Sequence, residues 1–453
     1  MKARTRTLIV GLALAALCAS TLGGVGTRNA AATLPPGNVA QQWDKIAEDT
    51  VVGSGAVQIE SFVYMAYATS AMYDAAVAVD GHYRPLGHHI HAARGASVDA
   101  AVVEAAYRTL SHYFPSAAPT LDALYAQAIA ALPVGPSTTA GQAVGLAAAN
   151  EVLDSRSGDG LTTPIATTST FPTLAPGPRV WRLTPPAFLP PQVPWVANMH
   201  PFILREAGQF QPPPPPASTS TEWVSAFNEV KYLGQNTSLV RTQAETDIAK
   251  FWSANPPRQY NIVARDLATA RGADVLDSTR LFAMVDVIGA DAGIAVMQAK
   301  YHYLFWRPVT AIDPTSVTAA DGFGPSPGYD DGNVSTVEQP GWRPLLTTPN
   351  HPEYPSAHGS VSGAIVLAFS AFLGTDQVNL TIHGFDPTAG KPATNLDAVR
   401  TFATADDLRS EIVNARVWAG LHYRFSGAAG ITLGTTVAQY DLKHAFKQQG
   451  DGD

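Results

Sequence analysis

In segment after segment of this 453-residue chain, apolar side chains recur three and four places apart. That spacing is one face of an α-helix. In the first part it runs through QIESFVYMAYATSAMYDAAVAV (58–79), SVDAAVVEAAYRTLSHYF (97–114), TLDALYAQAIAAL (120–132) and STTAGQAVGLAAANEVLDSR (137–156), the last with Ser137 or Thr138 as a cap. It returns in STEWVSAFNEVKYLG (220–234), TQAETDIAKFWS (242–253), QYNIVARDLATARG (259–272) and DSTRLFAMVDVIGADAGIAVMQAKYHYLFW (277–306). No stretch alternates long enough to predict a sheet, so the fold class expected is all-α. Between 158 and 218 the pattern stops: PPAFLPPQVPW and QPPPPPAST cannot be regular helix. Trp181, Phe188, Trp195 and Phe202 are nevertheless too apolar for a free linker. We expect an ordered proline-rich wrap at 158–218, between an N-terminal helical region (33–157) and a helical core (219–449).

The first 32 residues form a separate unit. Lys2, Arg4 and Arg6 precede an apolar run from Leu8 to Leu17, and Ala30–Ala32 supplies a small-residue cleavage site. This is the pattern of a secretory signal peptide. The only cysteine, Cys18, lies inside it, so the mature chain is expected to use no disulfide and no thiol. No later segment has eighteen uninterrupted apolar residues. An exported protein with no stable membrane insertion after cleavage is expected. A net charge of −8 without a basic stripe argues against nucleic acid as partner. His88, His89 and His91 crowd together in GHHIHAARG, but with no second ligand cluster they read as surface polarity. Asp330, Asp331 and Asn333 lack the spacing of a calcium loop and read as a turn.

Three segments concentrate chemistry. KYHYLFWRP (300–308) sets Lys300 and Arg307 seven apart, two helical turns and hence one face, with Pro308 ending the helix. HPEYPSAHGSVSGA (351–364) places Ser356 and His358 after Pro355, which suits the first turn of a helix continued by the apolar run Ile365–Leu373. The free N–H groups of such a turn would favour an oxyanion. ARVWAGLHYRFSGAAG (415–430) carries Arg416 at a helix end, a break at Gly420, His422 in a short turn, and Ser426 before the next helix. Three cations, a serine, a helix N-terminus and two imidazoles match a tetrahedral dianion such as phosphate or vanadate.

The order K-x6-R-P, P-S-x-H, R-x3-G-x-H resembles the signature of the vanadium-dependent haloperoxidases and type-2 phosphatidic acid phosphatases. PRVWRLTPPAFLPPQVPWVANMHPF, FWSANPPRQYN and DAGIAVMQAKYHYLFWRPVTAI are similar to stretches of bacterial, secreted haloperoxidase-like proteins, so the likeness runs over about 40–445. It implies two four-helix bundles around one oxyanion site. It implies that Lys300, Arg307, Ser356, Arg416 and the backbone N–H of Ala357 hold vanadate oxygens. His422 would be the vanadium ligand, and His358 the residue that activates the apical oxygen or peroxide. It places His351 at the edge of the halide pocket, as in bromide-oxidising members, where an imidazole that can become cationic would disfavour chloride oxidation. Hydrogen peroxide, a halide and a small organic acceptor are the implied partners; oligomeric state is not legible.

The chain departs from the family pattern where Ala357 stands for the usual glycine, Ala415 for a serine and Ser426 for an aspartate. The methyl of Ala357 would crowd the oxyanion. In the phosphatases that aspartate orients the nucleophilic histidine, so its loss weakens a phosphohistidine route; Ser426 is expected to serve as a helix N-cap instead. The functions in play are a secreted haloperoxidase favouring bromide and iodide, a soluble acid phosphatase with phosphate in the site, and a non-catalytic oxyanion-binding protein.

Overall fold

A computed structural model describes residues 32–164, 177–316, 330–384 and 399–450. The expected signal peptide, with Cys18, lies outside the described residues but for Ala32. The chain folds into helices α1 (Val39–Gly53), α2 (Gln58–Asp80), α3 (Val98–Tyr113), α4 (Ala118–Ala130) and α5 (Pro136–Ser155), then the proline-rich stretch. There follow α6 (Thr221–Leu233), α7 (Gln243–Phe251), α8 (Pro256–Arg271), α9 (Val275–Tyr303), α10 (Pro308–Ile312), α11 (Ala357–Leu373), α12 (Ala405–Trp418) and α13 (Arg424–His444). Among the described residues the only sheet is one antiparallel pair, β1 (Leu380–His383) with β2 (Val399–Phe402), Leu380 facing Phe402. The fold is all-helical, as the periodicity requires.

Helix α1 is an element the sequence reading did not name. Asn38 caps it by accepting from Gln41 N, and Trp43, Ile46, Ala47 and Val51 bury one face at three- and four-residue spacing. Helix α5 begins one residue earlier than expected, at Pro136, with Gly135 at the cap position. Neither Ser137 nor Thr138 caps it. Proline at the first position needs no N–H partner, which is why no side-chain cap is required.

Helix α9 is the axis of the molecule, packed against α2, α11 and α13. It is long and apolar enough to cross a membrane, but 94% of its most apolar window is buried inside the protein. Asp291, fully buried on α9, accepts from the backbone N–H groups of Phe202 (2.6 Å), Ile203 (2.8 Å) and Leu204 (3.0 Å). Further bonds run from Trp181 N to Leu304 O (2.6 Å) and from Gln192 N to Asn350 O (2.8 Å). Where it is described, the proline-rich stretch is thus tied to the rest of the protein through backbone N–H groups of Trp181, Gln192 and Phe202 to Leu204.

Helices α11 and α13 approach almost backbone to backbone. A Cβ on Gly434 would stand 1.8 Å from the Ser360 carbonyl oxygen, so only glycine fits there. Buried Ile365 and Phe369 on α11 each contribute about 1.5–3 kcal/mol by leaving water. The close contact brings the start of α11 beside the start of α13, with Ser356 N donating to Ser426 O at 3.0 Å.

Candidate oxyanion site

Each motif is placed by a helix end, and three of these ends differ from the sequence expectation. Helix α9 stops at Tyr303, where Leu304 turns left-handed (φ +47°), so Lys300 and Arg307 do not share a helix face. Pro308 opens α10 rather than closing α9, and Arg307 is the residue before it. The chain reverses after Lys300 and brings Arg307 back towards the same centre. Pro355 lies before the helix, not in its first turn: Ser356 is the N-cap of α11, its hydroxyl oxygen accepting from Gly359 N at 3.3 Å. Ser426 is not a cap but the third residue of α13, whose cap position is Tyr423.

Lys300 is fully buried and donates to the carbonyls of Pro352 (2.9 Å) and Glu353 (2.8 Å). Arg307, also fully buried, donates from Nε to His351 O and from one terminal nitrogen to Leu421 O, both at 3.0 Å. The same nitrogen lies 3.1 Å from Nε2 of His422, and the other lies 3.0 Å from Nδ1 of His351. A guanidinium only donates, so each of these ring nitrogens accepts. Arg416, in the last turn of α12, donates to Trp252 O at 3.2 Å, while its Nε has no partner. His422 sits in the turn after Gly420 (φ +76°), where a Cβ would meet Gly234 O at 2.5 Å.

His351, Ala357, His358, Arg416 and His422 line one cavity of about 620 Å³. Lys300, Arg307 and Ser356 are fully buried and do not line it. As first residue of α11, Ala357 has an N–H with no acceptor inside the helix. Nε2 of His358 is buried without a partner. The α1–α2 junction, the start of α2 and the wrap add another wall to the lining, with apolar Ala56, Ile59, Phe62 and Val193 beside polar Gln58 and Gln192. Sequence reasoning did not foresee that wall, because the α1–α2 junction carries no motif of its own.

Charge in this centre is unbalanced. Burial, and then mutual repulsion, holds Lys300 well below the usual lysine range and pulls Arg416 down to about 9. Burial likewise draws Arg307 down to about 10. Burial first, and then the neighbouring cations, holds His351, His358 and His422 well below the usual histidine range. For His351 burial comes first and Lys300 and Arg307 second, so protonating this ring is harder than the sequence suggested. The one carboxylate in the group is Glu353, fully buried, with burial raising its pKa to about 7 against the opposing pull of Lys300 and Arg307. Three buried cations against one carboxylate call for an anion. The unpartnered Nε of Arg416 and the free N–H of Ala357 supply donors for it, so the residues present fit an oxyanion such as vanadate. Among the described residues no group of three or more His, Cys, Asp or Glu is placed to hold a metal cation.

Glu353 is the functional candidate the motifs missed. Its Oε1 lies 2.8 Å from Nδ1 of His422 and accepts from Tyr423 N at 3.0 Å. The Ser426 hydroxyl is 3.5 Å from that same Nδ1. The loss of an aspartate at 426 therefore does not leave His422 without a carboxylate. The signal in the sequence was an acidic residue two places after His351, unremarkable among prolines. Elsewhere, exposed His88 pairs with Glu151 at 2.6 Å, away from the cavity. Asp330, Asp331 and Asn333 cap their own turn through bonds to Gly332, Asn333 and Ser335 N.

Known proteins are similar to this chain in sequence over part of its length and in fold over most of it. Residues 280–450 match the family described as the VCPO second helical-bundle domain. The vanadium chloroperoxidase of Curvularia inaequalis is 27% identical over a match covering 42% of this chain and 38% of that one, so the chain spans well under half of that relative. The crystal structure of a bacterial vanadium-dependent iodoperoxidase superposes with a TM-score of 0.72 at 22% identity, covering 93% of this chain and 100% of that one. A holo-type bacterial vanadium-dependent chloroperoxidase superposes at 0.65 with 16% identity, covering 91% and 98%. Residues 280–450 are thus similar to the vanadium chloroperoxidase second helical bundle, and the chain as a whole has the helical fold of the vanadium haloperoxidases.

Proposed function

We propose that this protein is a vanadate-dependent haloperoxidase that oxidises halide with hydrogen peroxide. The observation that carries the reading is the burial of Lys300, Arg307 and Arg416 in one cluster, with the imidazoles of His358 and His422 on the cavity wall beside it. In this reading Lys300, Arg307, Arg416, the Ser356 hydroxyl and the Ala357 N–H hold the oxygens of vanadate, and Nε2 of His422 meets the metal. Bound vanadate supplies a Lewis acid that polarises peroxide.

The chain's own groups then have distinct tasks. Lys300 is fixed by two carbonyls and keeps one N–H for the oxyanion side. His358, neutral and with Nε2 free, accepts or returns a proton there. The apolar side chains of Ala56, Ile59, Phe62 and Val193 leave room in the cavity for a small organic acceptor. Nδ1 of His351 lies 3.0 Å from Arg307 and 3.1 Å from the Pro352 carbonyl, which fixes the ring as a polar group at the pocket edge. A polar, hydrated pocket edge favours bromide and iodide over chloride, whose oxidation is harder. The basic, apolar N-terminal segment supports export of the protein, and the three sequence regions (33–157, 158–218, 219–449) serve as its working division.

The test is bromination of phenol red by vanadate-stripped protein with peroxide and bromide. Activity that appears only on adding orthovanadate supports the proposal; equal activity without vanadium overturns it. The Glu353–His422 contact specifically favours a second reading, an acid phosphatase. There His422 attacks phosphorus and His358 protonates the leaving group, with a carboxylate present to orient the nucleophile. Hydrolysis of p-nitrophenyl phosphate by the stripped protein distinguishes the two.

A further inference from the structure

We infer that Glu353 is the positioning residue of His422, taking over from a separate loop the task that position 426 cannot perform here. The inference rests on the reading of His422 as the residue that meets the oxyanion. Three contacts carry it. Oε1 of Glu353 is within hydrogen-bond reach of both Nδ1 of His422 (2.8 Å) and the next backbone N–H, that of Tyr423 (3.0 Å). Ser426, one helical turn on from His422, reaches Nδ1 only at 3.5 Å, and its hydroxyl leans towards the Glu353 carbonyl at 3.4 Å. On the other face of the ring, Arg307 points an N–H at Nε2 from 3.1 Å.

These contacts fix a tautomer. Arg307 can only donate, so Nε2 bears a lone pair and Nδ1 bears the proton, which Glu353 accepts. A ligand or a nucleophile needs that lone pair, and it must face the cations. A carboxylate on the far nitrogen holds the ring in that orientation and raises its basicity. Glu353 is itself immobilised: its N–H donates to Phe305 O at 2.8 Å and its carbonyl accepts from Lys300. One loop residue thus ties Lys300 through its backbone and His422 through its side chain. A substitution of the side chain separates the two, because the carbonyl that holds Lys300 remains.

The experiment compares Glu353→Met with the double variant Glu353→Met/Ser426→Asp, using full-length protein. Orthovanadate and inorganic phosphate are titrated by calorimetry, and the His422 ring nitrogens are followed by ¹⁵N NMR on histidine-labelled protein. The expected result for Glu353→Met is a roughly 10- to 100-fold loss of orthovanadate affinity, the range for removing such partners. The Nδ1–H signature of His422 should give way to mixed tautomers. The double variant should recover both, because it returns a carboxylate to a position one turn from the ring. Affinity within twofold of wild type with an unchanged tautomer in Glu353→Met overturns the inference. So does a loss that Ser426→Asp leaves uncorrected while the fold is intact by circular dichroism. If Glu353→Met fails to fold, Glu353→Gln replaces it in both arms with the same criteria. His422→Ala, run in parallel, separates the failures. Lost affinity there with none in Glu353→Met sinks the role of Glu353 alone. Retained affinity in His422→Ala sinks the reading of His422 first.

Discussion

The guanidinium of Arg307 stands 3.1 Å from Nε2 of His422, 115 residues further along the chain. It holds the imidazole lone pair in a field of positive charge, where burial already keeps the ring neutral. That lone pair accepts from an Arg307 N–H here, and it becomes a bond to an electrophilic centre once that hydrogen bond is given up. His422→Ala is therefore expected to abolish turnover and orthovanadate binding with little change in helix content. Circular dichroism and a vanadate titration check this together; unchanged affinity in the mutant would remove His422 from the site.

Arg416 and Arg307 should respond differently to removal. Arg416 spends one donor on Trp252 O and leaves Nε without a partner. It is a base whose native pKa is depressed to about 9, by burial first and by Arg307 second. A depressed base costs stability wherever it stays charged, and stability returns only as pH rises past that value. At pH 7 the cost is fully present. Arg416→Met should then melt at a higher temperature than wild type in anion-free buffer. Its orthovanadate binding should weaken by about 1.5–3 kcal/mol, the range for hydrogen bonds to charged groups. Arg307 joins His351, Leu421 and His422, so Arg307→Ala should lose both binding and melting temperature. Calorimetry with and without orthovanadate tests the contrast, which fails if the two variants behave alike.

His358 is held neutral, with a free buried Nε2 at the cavity wall. General acid–base groups of this kind contribute about 10²- to 10⁴-fold to rate. His358→Gln should lower kcat by that order while leaving orthovanadate affinity within a few-fold of wild type. A mutant with normal kcat and weak binding would make His358 part of the anion cradle instead.

The wild-type protein should oxidise bromide and iodide with little or no oxidation of chloride. His351 lines the cavity and is pinned by Arg307, so its replacement alters the polarity of the halide side directly. His351→Phe should change the halide profile and its pH dependence. Efficient chlorination of monochlorodimedone by the unmodified protein would contradict this, as would an unaltered profile in the Phe variant.

The periodicity of apolar residues determined that the chain is all-helical, because a helix must bury one face and the spacing of that face is local. The motif residues Lys300, Arg307, Ser356, His358, Arg416 and His422 were legible because family resemblance preserves their order and spacing. Helix ends were read less well: α9 stops at Tyr303, Pro355 precedes the cap, and Ser426 lies within α13. Termini depend on where the chain meets its neighbours, not on local preference alone. Whether His351 faces solvent or the site could not be read through the flanking prolines; packing against Arg307 decided it. Glu353 was invisible for the same reason. Its carboxylate acquires meaning only when the 350–355 loop, bonded to Phe305 through Glu353 N, is laid against the turn that carries His422. Sequence order specifies which groups exist; only the tertiary fold specifies which buried proton each of them shares.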